Sequence, residues 1–236
     1  MFRDPASLAF DLDTLENIEK ASLRFVCQAL TDFREDAAET FAAYQDLPAD
    51  IGEDIARESL DTIGVSKLPV RLLGKMDYKR ARYVFHPDYA VRQALFVDSK
   101  AEKDANSATL QTSQTSMRIR QIRAGKRLDI AGKLPAVVES RDHRLLSTTI
   151  FIKFAYKVTR RRNRLTLIRM ACLPSGMLQE RYNPTAEDSI WIAGRNAPTR
   201  GEEFRVRLSF DRLRQKAAWR VQDIRIDPEE PFVWSE

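Results

Sequence analysis

The chain predicts a mixed α/β fold, with a central β-sheet flanked by helices. Three observations point there. Two early segments keep helical spacing of apolar residues, and several later runs alternate like strands or are apolar throughout like buried strands. The hydrophobic content of 43% over 236 residues is enough for one large domain with a sizeable core. We divide that single domain, 1–236, into an N-terminal helical part at about 13–64, a hairpin at about 72–103, and further sheet and binding elements at about 115–236.

Residues 1–12 read as a lead-in. Asp13-Thr14-Leu15-Glu16 has the form of a capping box, with Asp13 as cap and Glu16 reaching back. Leu15, Ile18, Ser22, Phe25, Val26, Ala29, Leu30 and Phe33 then keep helical spacing, which predicts one amphipathic helix to about Tyr44 with its stripe in the core. Asp50-Ile51-Gly52-Glu53 is a second capping box, opening a helix to about Ile63 that stops at Gly64.

Apolar-rich runs at Met76–Phe85 and Ala94–Ala101 flank the turn-like His86-Pro87-Asp88-Tyr89, which predicts a β-hairpin. Asp98 and Lys100 point to the same side of their strand because side chains alternate faces. If the bend falls at Pro87-Asp88, Asp77 lies opposite Asp98. Two carboxylates and an ammonium then share one small area of sheet. Adjacent carboxylates repel without a cation between them, and a few hard oxygen donors suit Mg²⁺. A lysine beside such an ion can hold an attacking water, which is the chemistry of phosphodiester hydrolysis. Asp88 is the rival acid. At the turn it would stand about ten residues from Asp98, roughly 30 Å at strand rise. Asp-x-Lys by itself is a weak signal, common by chance.

Downstream, Asp104–Gln114 is dense in hydroxyls and amides. Asn106, Ser107, Thr109, Gln111 and Ser113 are short enough to approach phosphates and groove edges without charge repulsion; a cap-and-turn role is the alternative. Met117–Ala131 gathers Arg118, Arg120, Arg123, Lys126 and Arg127 around a turn at Ala124-Gly125. That pattern suits backbone phosphates, or else a solvated loop. Leu145–Val158 and Leu165–Leu173 read as core strands joined by an arginine-rich turn. Pro174–Gly201 reads as mostly irregular, anchored at Asn183-Pro184 and Trp191. Glu203–Phe210 alternates, with Phe204, Val206 and Leu208 on one face and Arg205 and Arg207 on the other. Such arginines either pair with nearby acids such as Glu203 or Asp211, or make bidentate pairs with guanine in a major groove. A short helix at Asp211–Ala218 and a strand at Trp219–Ile226 follow.

Several classes are excluded. With 39 basic against 34 acidic residues and a net charge of +5, the balance permits nucleic acid without requiring it. Cys27 and Cys172 make no disulfide framework, and with only His86 and His143 they make no zinc site. MFRDPASLAFDLD has no apolar signal core and no run reaches membrane-span length, so a soluble protein in the reducing cytoplasm is expected.

The same residues carry a resemblance. FVDSKAEKDANSATLQTSQTSM with the preceding GKMDYKRAR, then LPAV and TTIFIKFAY between Leu134 and Tyr156, ERYNPTAEDS at Glu180–Ser189 and APTRGEEFRVRLSFDRLRQKAAWRVQ at Ala197–Gln222 are similar in order to SfiI-like type II restriction endonucleases. These belong to the PD-(D/E)xK nuclease superfamily. The likeness covers most of the chain from about Glu53. It implies a restriction-endonuclease-like core and Mg²⁺-dependent cutting of double-stranded DNA at an interrupted, GC-rich palindrome. It places Asp77, Asp98 and Lys100 on catalytic positions, with the Ser99 carbonyl joining Asp77 and Asp98 at the metal. It puts the polar 104–114 segment near the scissile bond, Arg205 and Arg207 at guanines, and the protein in a homotetramer, or at least a homodimer. The family's helix ahead of the hairpin often adds a carboxylate; Glu53 and Glu58 are the candidates, each equally readable as a solvated helix acid. The arginine-rich Met117–Ala131 and the early C-terminus depart from the pattern. A structure-selective repair nuclease on the same core, or a DNA-binding protein that does not cut, are the competing readings.

Overall fold

The computed structural model describes residues 2–44, 48–68, 71–73, 81–103, 109–111, 114–159, 162–193, 206–226 and 230–236. Three helices come first: α1 (Leu12–Asp32), α2 (Arg34–Ala43) and α3 (Pro48–Thr62). The cap of α1 is Asp11, whose carboxylate accepts from the Thr14 amide at 3.3 Å, not Asp13. The same side-chain-to-amide chemistry works two residues earlier than expected. Asp13 and Glu16 instead hold Arg181, each at 2.8 Å. The expected single helix to Tyr44 bends at Phe33 (φ −91°, ψ 9°). Beyond the bend, Ala37 and Phe41 stay fully buried. Phe41 lies 5.8 Å from the rings of both Phe154 and Tyr156. α3 begins at Pro48, and the chain beyond it turns through Gly64 at φ +78°, a left-handed position that favours glycine.

The main sheet contains β1 (Arg82–His86), β2 (Val91–Lys103), β6 (Val137–Ser140), β7 (His143–Thr159), β8 (Arg162–Leu173) and β11 (Val221–Arg225). Its order is β1-β2-β7-β8-β11, with β6 on the start of β7. β2 and β7 are parallel and the other pairs antiparallel. A smaller antiparallel sheet sets β3 (Thr109–Gln111) and β9 (Trp191–Ala193) on either side of β10 (Val206–Ser209). β4 (Ile119–Arg123) and β5 (Lys126–Ile130) form the expected basic hairpin, turning through Ala124 and Gly125 at φ 47° and 75°. Short helices α4 (Gln179–Tyr182) and α5 (Phe210–Lys216) complete the elements. The strand expected to run to Phe210 ends one residue sooner, because Ser209 caps α5.

Two apolar layers sandwich the main sheet. Leu95, Ile150, Ile152, Phe154, Tyr156, Ile168, Met170 and Ile224 pack against α1–α3. Phe151, Ala171, Leu173 and Val221 pack on the other side against Trp191, Val206, Leu208, Phe210 and Leu213. α3 sits so close to the sheet that a Cβ on Gly52 would lie 2.9 Å from Phe154 Cδ2.

Candidate active site

The hairpin exists, but its register differs from the expectation. A bend at Pro87-Asp88 would face Arg82 with Gln93; Arg82 faces Leu95 instead. The turn is wider because Pro87–Tyr89 forms a single 3₁₀ turn and Ala90 adopts φ 52° to close it. The slip is two residues, so every side chain keeps its face. Asp77 lies outside the described residues, so its expected place opposite Asp98 does too. Asp88 stays at the turn, at the far end of β2 from Asp98.

Asp98, Lys100 and Glu102 alternate along β2 and share one face. Across the parallel ladder they pair with Phe151, Lys153 and Ala155. The intervening Val97 and Ala101 pack on the helix layer, and Ser99 is buried. Lys100 Nζ lies 2.8 Å from Asp98 Oδ1, with the lysine side chain 45% exposed and the aspartate 15%. The pair thus sits at an accessible rim while being held from behind by the sheet.

A second set of charges adjoins it. Lys153, with its side chain only 2% exposed, places Nζ 3.1 Å from Glu102 Oε2. Burial pulls its ammonium below the usual lysine value; Arg169 and Arg207 add repulsion, and Glu102 opposes both. Lys153 faces Arg169 on β8. Arg169 is held by Asp223 on β11 through two hydrogen bonds of 2.7 and 2.8 Å. Arg207 on β10 donates from Nε to Thr109 Oγ1 at 2.7 Å and lies 3.7 Å from Glu102 Oε1. Among the described residues its acidic neighbour is Glu102 rather than Asp211, and Glu203 lies outside them.

Glu102 and Lys153 escaped the sequence reading. The available signals were an acid two steps beyond Lys100 on the same face and a solitary lysine inside the apolar run TTIFIKFAY.

Of the expected DNA contacts, Thr109 and Arg207 meet directly. Gln111 pairs with Arg207 along the backbone of β3 and β10. Arg205, Asn106, Ser107 and Ser113 lie outside the described residues. On the basic hairpin, Arg118 pairs with Asp129 at 2.7 Å, Arg120 with Glu180 at 2.9 Å and Arg127 with Glu187 at 2.6 Å. All three pairs lie at the exposed surface. Glu58 lies 3.8 Å from Arg57 on the exposed side of α3.

The family model of "Type II restriction enzyme SfiI" matches residues 15–224. Type II restriction enzyme SfiI from Streptomyces fimbriatus is 33% identical over 237 residues, spanning 94% of this chain and 88% of its own. The crystal structure of tetrameric restriction endonuclease SfiI bound to cognate DNA superposes with a TM-score of 0.82 at 31% identity, covering 98% of this chain and 91% of that one. Restriction endonuclease BglI, bound to its DNA recognition sequence, shares the fold at TM-score 0.75 and 16% identity, covering 94% of both chains.

Proposed function

The chain belongs to the SfiI family of type II restriction enzymes, and from that premise we propose that it cuts duplex DNA at an interrupted, GC-rich palindrome with Asp98 and Lys100 at the reacting phosphate. The observation that carries the reading is their contact at 2.8 Å on an accessible sheet face, beside Lys153, Arg169 and Arg207. One domain, 1–236, carries both the catalytic and the DNA-reading residues.

The donors fit a divalent metal, Mg²⁺ in our reading. The Asp98 carboxylate and the Ser99 carbonyl are hard oxygens, and Asp77 supplies the second carboxylate. A bound Mg²⁺ would neutralise phosphoryl charge and acidify a water. Lys100 would turn its remaining N–H groups toward an attacking water and hold it in line; as the water oxygen bonds to phosphorus one P–O ester bond breaks, the water's proton passes to solvent and the departing oxygen takes a proton up. Asp98 keeps Lys100 aimed through their 2.8 Å contact. Arg205 and Arg207 read guanine O6 and N7, while Asn106, Ser107, Thr109, Gln111 and Ser113 follow the strand. A palindrome demands a two-fold assembly. The tetramer of the SfiI structure is the form we assign here, with a dimer as its smallest working unit.

Digestion of a plasmid with wild type and Asp98→Ala in Mg²⁺, with binding followed in Ca²⁺, tests this. Discrete wild-type bands, no cutting by the variant and retained binding are expected. Smearing, or cutting of branched substrates, would mean a repair or structure-selective nuclease, and retention without cutting a DNA-binding protein. Near wild-type cutting by Asp98→Ala would remove Asp98 from the site.

A further inference from the structure

Glu102 is placed where recognition and cutting meet. It follows Lys100 by two residues on the same face of β2 and is 31% exposed. Its two oxygens face different cations: Oε2 is 3.1 Å from Lys153 Nζ, and Oε1 is 3.7 Å from Arg207 Nη2. Arg207 is also held by Thr109, which accepts from Nε at 2.7 Å and, through its carbonyl, from Nη2 at 3.3 Å. The guanidinium is thus gripped on one edge from both sides of the 104–108 link between β2 and β3. An arginine fixed in this way loses its rotamer freedom before DNA arrives, and its planar fork can meet a base edge in one orientation only.

We propose that Glu102 is a positioning residue that orients Arg207 for base readout and fastens that readout to the strand carrying Asp98 and Lys100. This rests on the reading of Arg207 as a guanine contact. The carboxylate also keeps two crowded cations apart: without it, Lys153 and Arg207 face each other with their charge unopposed by Glu102. A free arginine would still attract phosphates, but it would accept more base edges.

The test uses the full-length enzyme and a duplex carrying the site found by sequencing its cut ends, against duplexes with one substituted pair. Glu102→Gln keeps the shape and removes the charge. The ratio of cognate to substituted kcat/KM should fall by about 5- to 150-fold, the span attributable to one bidentate arginine–guanine pair. Binding to non-cognate duplex should tighten, because one negative charge is gone. Glu102→Gln combined with Arg207→Ala should discriminate no worse than Arg207→Ala alone. Lys153→Met should leave the ratio near wild type. If Glu102→Gln fails to fold, Glu102→Asp, which withdraws the carboxylate by one methylene, must lower the ratio. An unchanged ratio, even with slower cutting overall, overturns the proposal, as does an equal fall in Lys153→Met. Cutting by Asp98→Ala would instead defeat the reading of the site, whatever Glu102 does.

Discussion

The two faces of β2 and β7 are built from alternating residues of the same strands, yet they do opposite work. One face, with Leu95, Ile150, Ile152 and Phe154, is sealed against three helices. The other carries Asp98, Lys100, Glu102 and Lys153 among arginines from β8 and β10. A buried charge such as Lys153 is tolerable on this sheet only because a neighbouring strand supplies its opposite. The apolar face fixes where the charges stand, and the charged face uses that rigidity. Damage to each face should therefore look different.

The largest separation is expected for Lys100→Met. Cleavage should drop roughly 10²- to 10⁴-fold, as for loss of a positioned proton-handling group. Unfolding should shift by no more than about 0.5 kcal/mol, since the side chain is surface-exposed. A parallel fall in stability would break the comparison. The mirror experiment is Phe154→Ala, which should cost about 3–5 kcal/mol in a urea melt. Cutting per folded molecule should stay near wild type at low temperature; loss of cutting without loss of stability would mean the faces are not separable.

A smaller effect sharpens the charged face. Arg207→Ala should cost about 1–3 kcal/mol of discrimination at one base position, read from cleavage of single-substitution sites. Unchanged preference would take Arg207 out of the readout. An effect of similar size concerns the edge. Arg82 is bonded to Asp61 and to the carbonyls of Val65 and Arg57 at 2.8 and 3.1 Å, tying β1 to α3. Arg82→Met should cost about 1–3 kcal/mol at neutral pH. Burial alone would raise the Asp61 carboxyl, but hydrogen bonds from Arg82 and Lys67 outweigh it and hold it below the ordinary value. A depressed carboxyl stabilises above its unfolded value, about 3.9, and that share fades as pH falls through the folded one. The gap between wild type and variant should thus narrow in acid; a gap that widens would contradict the assignment.

Much of this was readable from residues alone. Alternation and apolar runs located β2, β7 and β8, and Asp98-x-Lys100 marked the rim. The hairpin register was not readable, because an alanine at φ 52° is a conformation no local rule assigns to Ala90. Nor was the bend at Phe33, which depends on keeping Phe41 against Phe154. Nor was the place of Lys153, whose partner Glu102 lies across a parallel pairing that sequence distance conceals. Asp77 and Arg205, expected from pattern and resemblance, fall outside the described residues.

The parallel seam between β2 and β7 has a consequence for how a cell carries such an enzyme. Strand β2 leaves the ribosome early, but its pairing partner emerges only after the β4–β5 hairpin, and the arginine that Glu102 holds comes later still. Contacts so far apart along the chain close late and slowly. An unfinished copy holds Asp98 and Lys100 on β2 without the strand that supports them, so the site is assembled only once the later strands are made.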